Sequence, residues 1–291
     1  MLMAMTRGQW MRIIAGVTAA AAMITILLAG PAGAAQGGVT VKNDVTFRTV
    51  DGEPLQLDAY QPTKKGKGRP AVVVVHGGAW TIGDKSWFAD LSRRLAERGF
   101  VAFSINYRLA PAHPYPAAVE DVEASVAWVR KHAKEYGVDP QRIGALGGSA
   151  GGHLTGLLAT VGKGSLEKGH RIAAAVSWSG PMDFVSLAPA AGTAAGGSFR
   201  TFLGCLPDAC PDTYAAASPV THVDKTDAPM LIVNSTNELV PQSQADTMKA
   251  ALDQARVANQ AIILPGRAHS RAYSNQVWDQ TVAFLENYLK N

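Results

Sequence analysis

The segment Gly144-Ala145-Leu146-Gly147-Gly148-Ser149-Ala150-Gly151-Gly152-His153-Leu154 decides how the rest of the chain is read. It joins an apolar strand-like run, residues 142–146, to a helix-like run, residues 150–161. A serine set between Gly147 and Gly151 at a strand-to-helix junction has the pattern of a nucleophile elbow. Such a turn is strained so that the hydroxyl stands above the sheet, and neighbours without a Cβ let strand and helix close up around it. A plain Gly-rich turn or a phosphate-cradling loop would use similar glycines. Residues 144–152, however, lack the Lys of a P-loop and lie in mid-chain rather than after a first strand.

Upstream, the β-branched run Ala71-Val72-Val73-Val74-Val75 leads directly into His76-Gly77-Gly78-Ala79-Trp80. Small residues there leave backbone N–H groups open to a substrate oxygen, so Gly78 and Ala79, with Ala150 after the serine, form a candidate oxyanion hole. Alone the segment could be a tight turn; next to an elbow it gains its chemical meaning. Trp80 is expected to wall the pocket and His76 to anchor the loop. Downstream, Leu264-Pro265-Gly266-Arg267-Ala268-His269-Ser270 places His269 between the last strand and the last helix, the position of a general base. A solvated loop histidine is the bland reading of that residue. His153 falls on the helix behind the serine, and His113 in a proline-rich turn.

Working outward, strand-like runs cover residues 39–50, 55–60, 71–75, 100–106, 142–146, 172–178, 229–234 and 261–264. Helical patterns cover 84–98, 117–136, 150–161, 242–258 and 275–289. The first two strands form an antiparallel hairpin across an Asp51-Gly52-Glu53-Pro54 turn, and the remainder alternate with helices as in a parallel sheet. The expected fold is therefore α/β, a mostly parallel eight-stranded sheet flanked by helices, with no repeat at solenoid periods. The stretch 187–198, rich in Ala and Gly, is the least regular and is expected to form part of a cap or wall.

With 291 residues, 47% apolar and 17% charged, the chain suits one main globular domain. Its start reads as a signal peptide, residues 1–34: Arg7 and Arg12, an apolar run over 13–29, then Ala32-Gly33-Ala34 as a cleavage site. An uncleaved membrane anchor is the alternative, because the run is nearly long enough to span a bilayer. Cleavage leaves a catalytic domain over 35–291 and an extracytoplasmic location. Loss of Arg7 and Arg12, the segment's charged residues, takes the formal net charge from +4 to +2, too little to argue for nucleic acid or a membrane surface as partner. Cys205 and Cys210 are an even pair, suited to a local disulfide in an oxidising compartment. Free thiols are the other reading; a metal site lacks further His or Cys at ligand spacing.

The segments His76-Gly77-Gly78-Ala79-Trp80, 107–122 (YRLAPAHPYPAAVEDV) and Gly147–Leu154 occur in an order and spacing that resembles the hormone-sensitive-lipase-like esterases and the exported acetyl- and feruloyl-esterase-like enzymes. The resemblance covers nearly the whole chain after the signal, and Phe202–Cys205 and Ser218–Val223 resemble the exported subgroup most. It implies an α/β-hydrolase fold, no cofactor, and cleavage of small carboxylic esters through an acyl-enzyme. In such enzymes the triad acid is an Asp in a Gly-x-x-Asp-x-x-Val-Pro pattern. This chain has Asn234-Ser235-Thr236-Asn237-Glu238-Leu239-Val240-Pro241, with Asn237 at that position. Glu238 is the first choice for the acid. Asn237 itself and Asp183, after the sixth strand, follow it, Asp183 being otherwise a turn or helix cap. A formamidase of the same fold, or a binding protein that has kept it, are the competing functions. The exported protein is expected to begin near Ala35 with Cys205 bonded to Cys210; intact mass before and after reduction and alkylation checks both, and an unchanged mass would remove the disulfide.

Overall fold

The computed structural model describes residues 38–192 and 196–290; the signal segment expected over 1–34 lies outside the described residues. Eight strands form one sheet: β1 (Val39–Val50), β2 (Glu53–Pro62), β3 (Arg69–Val75), β4 (Val101–Ile105), β5 (Val138–Gly148), β6 (Ala174–Trp178), β7 (Met230–Ser235) and β8 (Asn259–Leu264). Their order is β1-β2-β4-β3-β5-β6-β7-β8. Only the β1–β2 and β2–β4 pairings are antiparallel; every pairing from β4 to β8 is parallel. The helices are α1 (Ala89–Glu97), α2 (Ala117–Lys131), α3 (Ala133–Tyr136), α4 (Ala150–Val161), α5 (Phe184–Leu187), α6 (Gly197–Leu203), α7 (Pro211–Ala216), α8 (Gln242–Ala255) and α9 (Ser274–Leu289).

The apolar run of β3 shows why the sheet lies at the centre. Successive strand residues face opposite sides. Ala71, Val73 and Val75 join one core with Val122 and Val126 of α2, Leu154 and Leu158 of α4 and Met248 of α8. Val72 and Val74 join the other, with Leu91 and Leu95 of α1 and Val277, Val282 and Leu285 of α9. Residues 71–75 are wholly shielded from solvent. A strand buried on both faces has no polar side, which is why the run reads as continuous rather than alternating. Helix α4 follows the same logic: Ala150 to Thr160 are all buried, so the helix after the serine is enclosed rather than amphipathic.

Three expected helices change at their ends. The one expected over 84–98 opens as a 3₁₀ turn, Lys85–Phe88, because the Asp84 carboxylate accepts the Ser86 N–H at 2.6 Å and sets a tight start before α1. That expected over 117–136 breaks at His132, whose backbone (φ −98°, ψ 10°) leaves the helical region between α2 and α3. The one expected to 258 stops at Ala255, where Arg256 turns left-handed and its N–H bonds the Asp253 and Leu252 carbonyls. Among the described residues, the irregular stretch 187–198 holds the end of α5, a 3₁₀ turn over Ala188–Ala190 and the start of α6. Beyond it a disulfide joins Cys205 and Cys210 across the turn to α7.

Candidate active site

Ser149 sits between the end of β5 and the start of α4 with φ 56° and ψ −120°, a conformation that L-residues rarely hold. Two backbone bonds fix it: its N–H donates to Trp178 O at 2.7 Å, and its carbonyl accepts from His153 N–H at 3.0 Å. The flanking glycines are required by space. A Cβ on Gly147 would fall 2.1 Å from Gly151 O, and one on Gly151 would fall 2.1 Å from Val75 O. Strand, helix and the neighbouring β3 therefore meet backbone to backbone around the serine.

The loop after β3 lies against this turn, since a Cβ on Gly77 would be 3.2 Å from the Ser149 Cβ. Gly78, Ala79 and Trp80 have φ of 115°, 50° and 60°. Gly78 has no room for a side chain, as its Cβ would stand 2.0 Å from Ile82 O, and its carbonyl accepts both the Thr81 and Ile82 N–H groups at 3.0 and 3.1 Å. Among the described residues no hydrogen bond occupies the N–H of Gly78 or Ala79. Ala150 is the first residue of α4, where a helix has no internal acceptor for its N–H.

Trp80, expected to wall the pocket, has most of its surface taken up by neighbouring side chains. It is buried, stacks on Phe202 with centroids 4.7 Å apart, and donates its indole N–H to His153 Nδ1 at 3.2 Å. His153 in turn donates from Nε2 to Ala217 O at 2.7 Å. Each ring nitrogen of His153 thus has one partner that fits the neutral tautomer, and burial pushes its pKa down to about 4. His76 is stacked on Tyr107 at 4.3 Å and donates from Nδ1 to Gly77 O at 2.6 Å; burial also takes it to about 4. The Tyr107 hydroxyl donates to His76 O at 3.0 Å, so these two residues brace the loop after β3.

The loops after β7 and β8 bring the remaining groups together. His269 Nδ1 is hydrogen-bonded to Glu238 Oε2. The other carboxylate oxygen, Oε1, accepts the Ser235 N–H at 2.7 Å and the Ser179 hydroxyl at 2.9 Å. The Glu238 side chain is fully buried, whereas that of His269 remains 27% exposed. A buried carboxylate is tolerated only when its oxygens are satisfied, and here three donors surround it. Further bonds join the two loops: Ser235 Oγ to Ala268 O at 2.6 Å, and the N–H groups of Thr236 and Asn237 to Leu264 O and Gly266 O, each at 2.9 Å. Next to the imidazole, a Cβ on Gly148 would fall 2.1 Å from Ser270 Oγ, so the residue before Ser149 abuts the residue after His269.

The other two candidates for the acid lie elsewhere. Asn237 is exposed, its amide reaching Thr236 Oγ1 at 3.3 Å, because its N–H is tied to Gly266 O and the loop turns the next side chain inward. Asp183 caps α5 by accepting Ser186 N–H at 3.1 Å. Sequence reasoning missed Ser179, Ser235 and Tyr273, which surround the carboxylate directly or through one hydroxyl. Ser179 follows β6 as one polar residue in Trp178-Ser179-Gly180-Pro181, with nothing to separate it from a turn serine.

With this geometry in place, comparison with known proteins becomes specific. The sequence model of the BD-FAE family matches residues 57–252. The chain belongs to the BD-FAE family. It is 36% identical over 214 residues to the probable carboxylic ester hydrolase LipM of Mycobacterium tuberculosis, covering 69% of this chain and 49% of LipM. The chain spans about half the length of the curated relatives LipM and LipQ. A truncated carbohydrate esterase from gut microbiota superposes with a TM-score of 0.76 at 26% identity, covering 90% of this chain and 100% of that one. Thermogutta terrifontis esterase 2 phosphorylated by paraoxon gives 0.70 at 27% identity, covering 87% and 95%. The α/β-hydrolase fold expected for this BD-FAE member is the fold observed.

The two buried imidazoles set a pH dependence of stability. Both have folded values near 4 against an ordinary 6.5, so between these limits the unfolded chain binds more protons than the folded one. Stability therefore falls as pH drops from about 6.5 to about 4, by about 2 kcal/mol per histidine at pH 5. Urea unfolding at pH 7 and pH 5 measures this, and His153→Gln should shrink the difference. An undiminished difference in that variant would assign the pH dependence to other groups.

Proposed function

We propose that this protein is an exported serine esterase that hydrolyses small carboxylic esters through an acyl-enzyme, with Ser149 as nucleophile, His269 as general base and Glu238 as the triad acid. The observation that carries the reading is the buried Glu238 carboxylate bonded to His269 Nδ1 in a loop that abuts the Ser149 turn. A proton on Nδ1 leaves Nε2 free to take the serine proton, and the carboxylate stabilises the imidazolium so formed. The names of the relatives, ester hydrolases and esterases, support the same chemistry. The leader over 1–34 would deliver the 35–291 domain to an oxidising compartment, which suits the Cys205–Cys210 bond.

In the first half-reaction Ser149 Oγ adds to the ester carbonyl as His269 Nε2 takes its proton. The negative oxygen forms where the N–H groups of Gly78, Ala79 and Ala150 can donate to it, the arrangement that makes such a site complementary to the tetrahedral species. The C–O bond to the alcohol then breaks, and His269 returns the proton to the departing oxygen. In the second half, water loses a proton to His269, attacks the acyl carbon and releases the acid with Ser149 restored. No step calls on a cofactor.

The acid is the decisive test, because an amide at that position cannot stabilise an imidazolium. Ser149→Ala should lower turnover of p-nitrophenyl acetate by at least about a thousandfold, and Glu238→Gln by about a hundredfold or more. Asn237→Ala should stay within about twofold. A nearly silent Glu238→Gln with a severe Asn237→Ala or Asp183→Asn would move the acid. A wild-type protein that ignores fluorophosphonate probes and esters alike would support a binding protein, and preference for N-formylkynurenine a formamidase.

A further inference from the structure

Ser179 is fully buried and holds φ 53°, in the left-handed region where a residue with a side chain is strained and glycine is not. Its backbone N–H donates to Val233 O at 2.7 Å, a contact glycine would keep. The side chain is thus retained at a position where the backbone would favour its loss, and its hydroxyl has three partners. They are Glu238 Oε1 at 2.9 Å, Tyr273 Oη at 2.8 Å and the N–H of Ser270 at 2.8 Å. One oxygen therefore touches the side chain of the acid and the backbone next to the base.

Counting protons narrows the direction of these bonds to two orders. Ionised Glu238 can only accept, and the Ser270 N–H can only donate, so Ser179 receives the Ser270 N–H and can give its single proton to Oε1. The Tyr273 hydroxyl lies 2.8 Å from Ser179 Oγ and 3.0 Å from Val233 O. Val233 O already receives the Ser179 N–H. The carbonyl can accept both, so the single Tyr273 proton has two possible acceptors, Val233 O and Ser179 Oγ; turned to Ser179, it leaves the serine proton no better acceptor than the carboxylate. The opposite order, serine to tyrosine to Val233 O, would strip Oε1 of one of its two donors. Bonds to a charged acceptor are about twice as strong as neutral ones, so the order that ends on the carboxylate prevails. Burial holds the Tyr273 phenol well above its usual range, which keeps it a neutral donor.

We propose that Ser179 is a positioning residue of the reaction: its hydroxyl, directed by Tyr273, holds the Glu238 carboxylate in the orientation that presents Oε2 to His269 Nδ1. This rests on the esterase reading above. Glutamate needs such a restraint more than aspartate would, since its extra methylene adds a rotatable bond to the group that must point at the imidazole.

Ser179→Gly removes the hydroxyl while relieving the left-handed strain, so the variant is expected to fold. With p-nitrophenyl acetate, kcat should fall by about ten- to a hundredfold, and KM should change little. A second readout follows the bond itself: the low-field proton NMR resonance of His269 Nδ1–H, identified by its disappearance in Glu238→Gln, should shift or broaden in Ser179→Gly. Tyr273→Phe should move both readouts in the same direction by a smaller amount, and serves if the glycine variant does not fold. A folded Ser179→Gly with kcat within about twofold of wild type and an unmoved resonance overturns the proposal. So does a kcat loss that leaves the resonance in place, since the loss would then not act through the Glu238–His269 bond. If Ser149→Ala is silent in the same assay, the esterase reading itself has failed.

Discussion

Everything at the candidate site depends on backbone meeting backbone around Ser149. Gly147, Gly151 and the end of β3 approach so closely that a single methyl at either glycine would overlap a carbonyl oxygen. That contact holds the serine in a conformation it would otherwise leave, and it brings the loop of Gly77 to Ala79 alongside the hydroxyl. The strain is sustained by the surrounding core: Val72 to Val75 bury both faces of the central strand, and α4 is enclosed on all sides. The fold thus supplies rigidity where the reacting groups must not drift, and the neighbouring strands β7 and β8 end in loops that can carry the acid and the base.

Those parts of the molecule with a strong local signature were readable without coordinates. An unbroken run of aliphatic, mostly β-branched residues has no polar face to offer solvent, and the run from Ala71 to Val75 is wholly buried. The glycines around Ser149 and the small residues after His76 are steric requirements written as residue types. Helix ends were less legible, because they turn on single interactions such as the Asp84 cap or the left-handed Arg256. Trp80 shows a different limit. Its place after the small residues 77–79 suggests a pocket wall, and tertiary packing adds that the ring is buried against His153 and Phe202.

The loop after β7, which holds the candidates Asn237 and Glu238, combines both situations. Its general location follows from the order of strands, while the choice between adjacent side chains depends on which one the loop turns inward. The bonds of Thr236 and Asn237 to the β8 loop, and of Ser235 to the carboxylate itself, settle that geometry. Ser179 and Tyr273 had no signature at all, because they reach the carboxylate from the bend after β6 and the 3₁₀ turn after His269 and supply only hydroxyl groups.

The inward turn of Glu238, with exposed Asn237 before it and exposed Leu239 after it, bears on how related chains are sorted by alignment. A survey that demands a carboxylate in one aligned column would discard this chain as degenerate, although its imidazole has a carboxylate partner. Because the loop can deliver that partner from the next position with a longer side chain, the column is better treated as a two-residue window, and the pairing with the histidine as the trait to be scored.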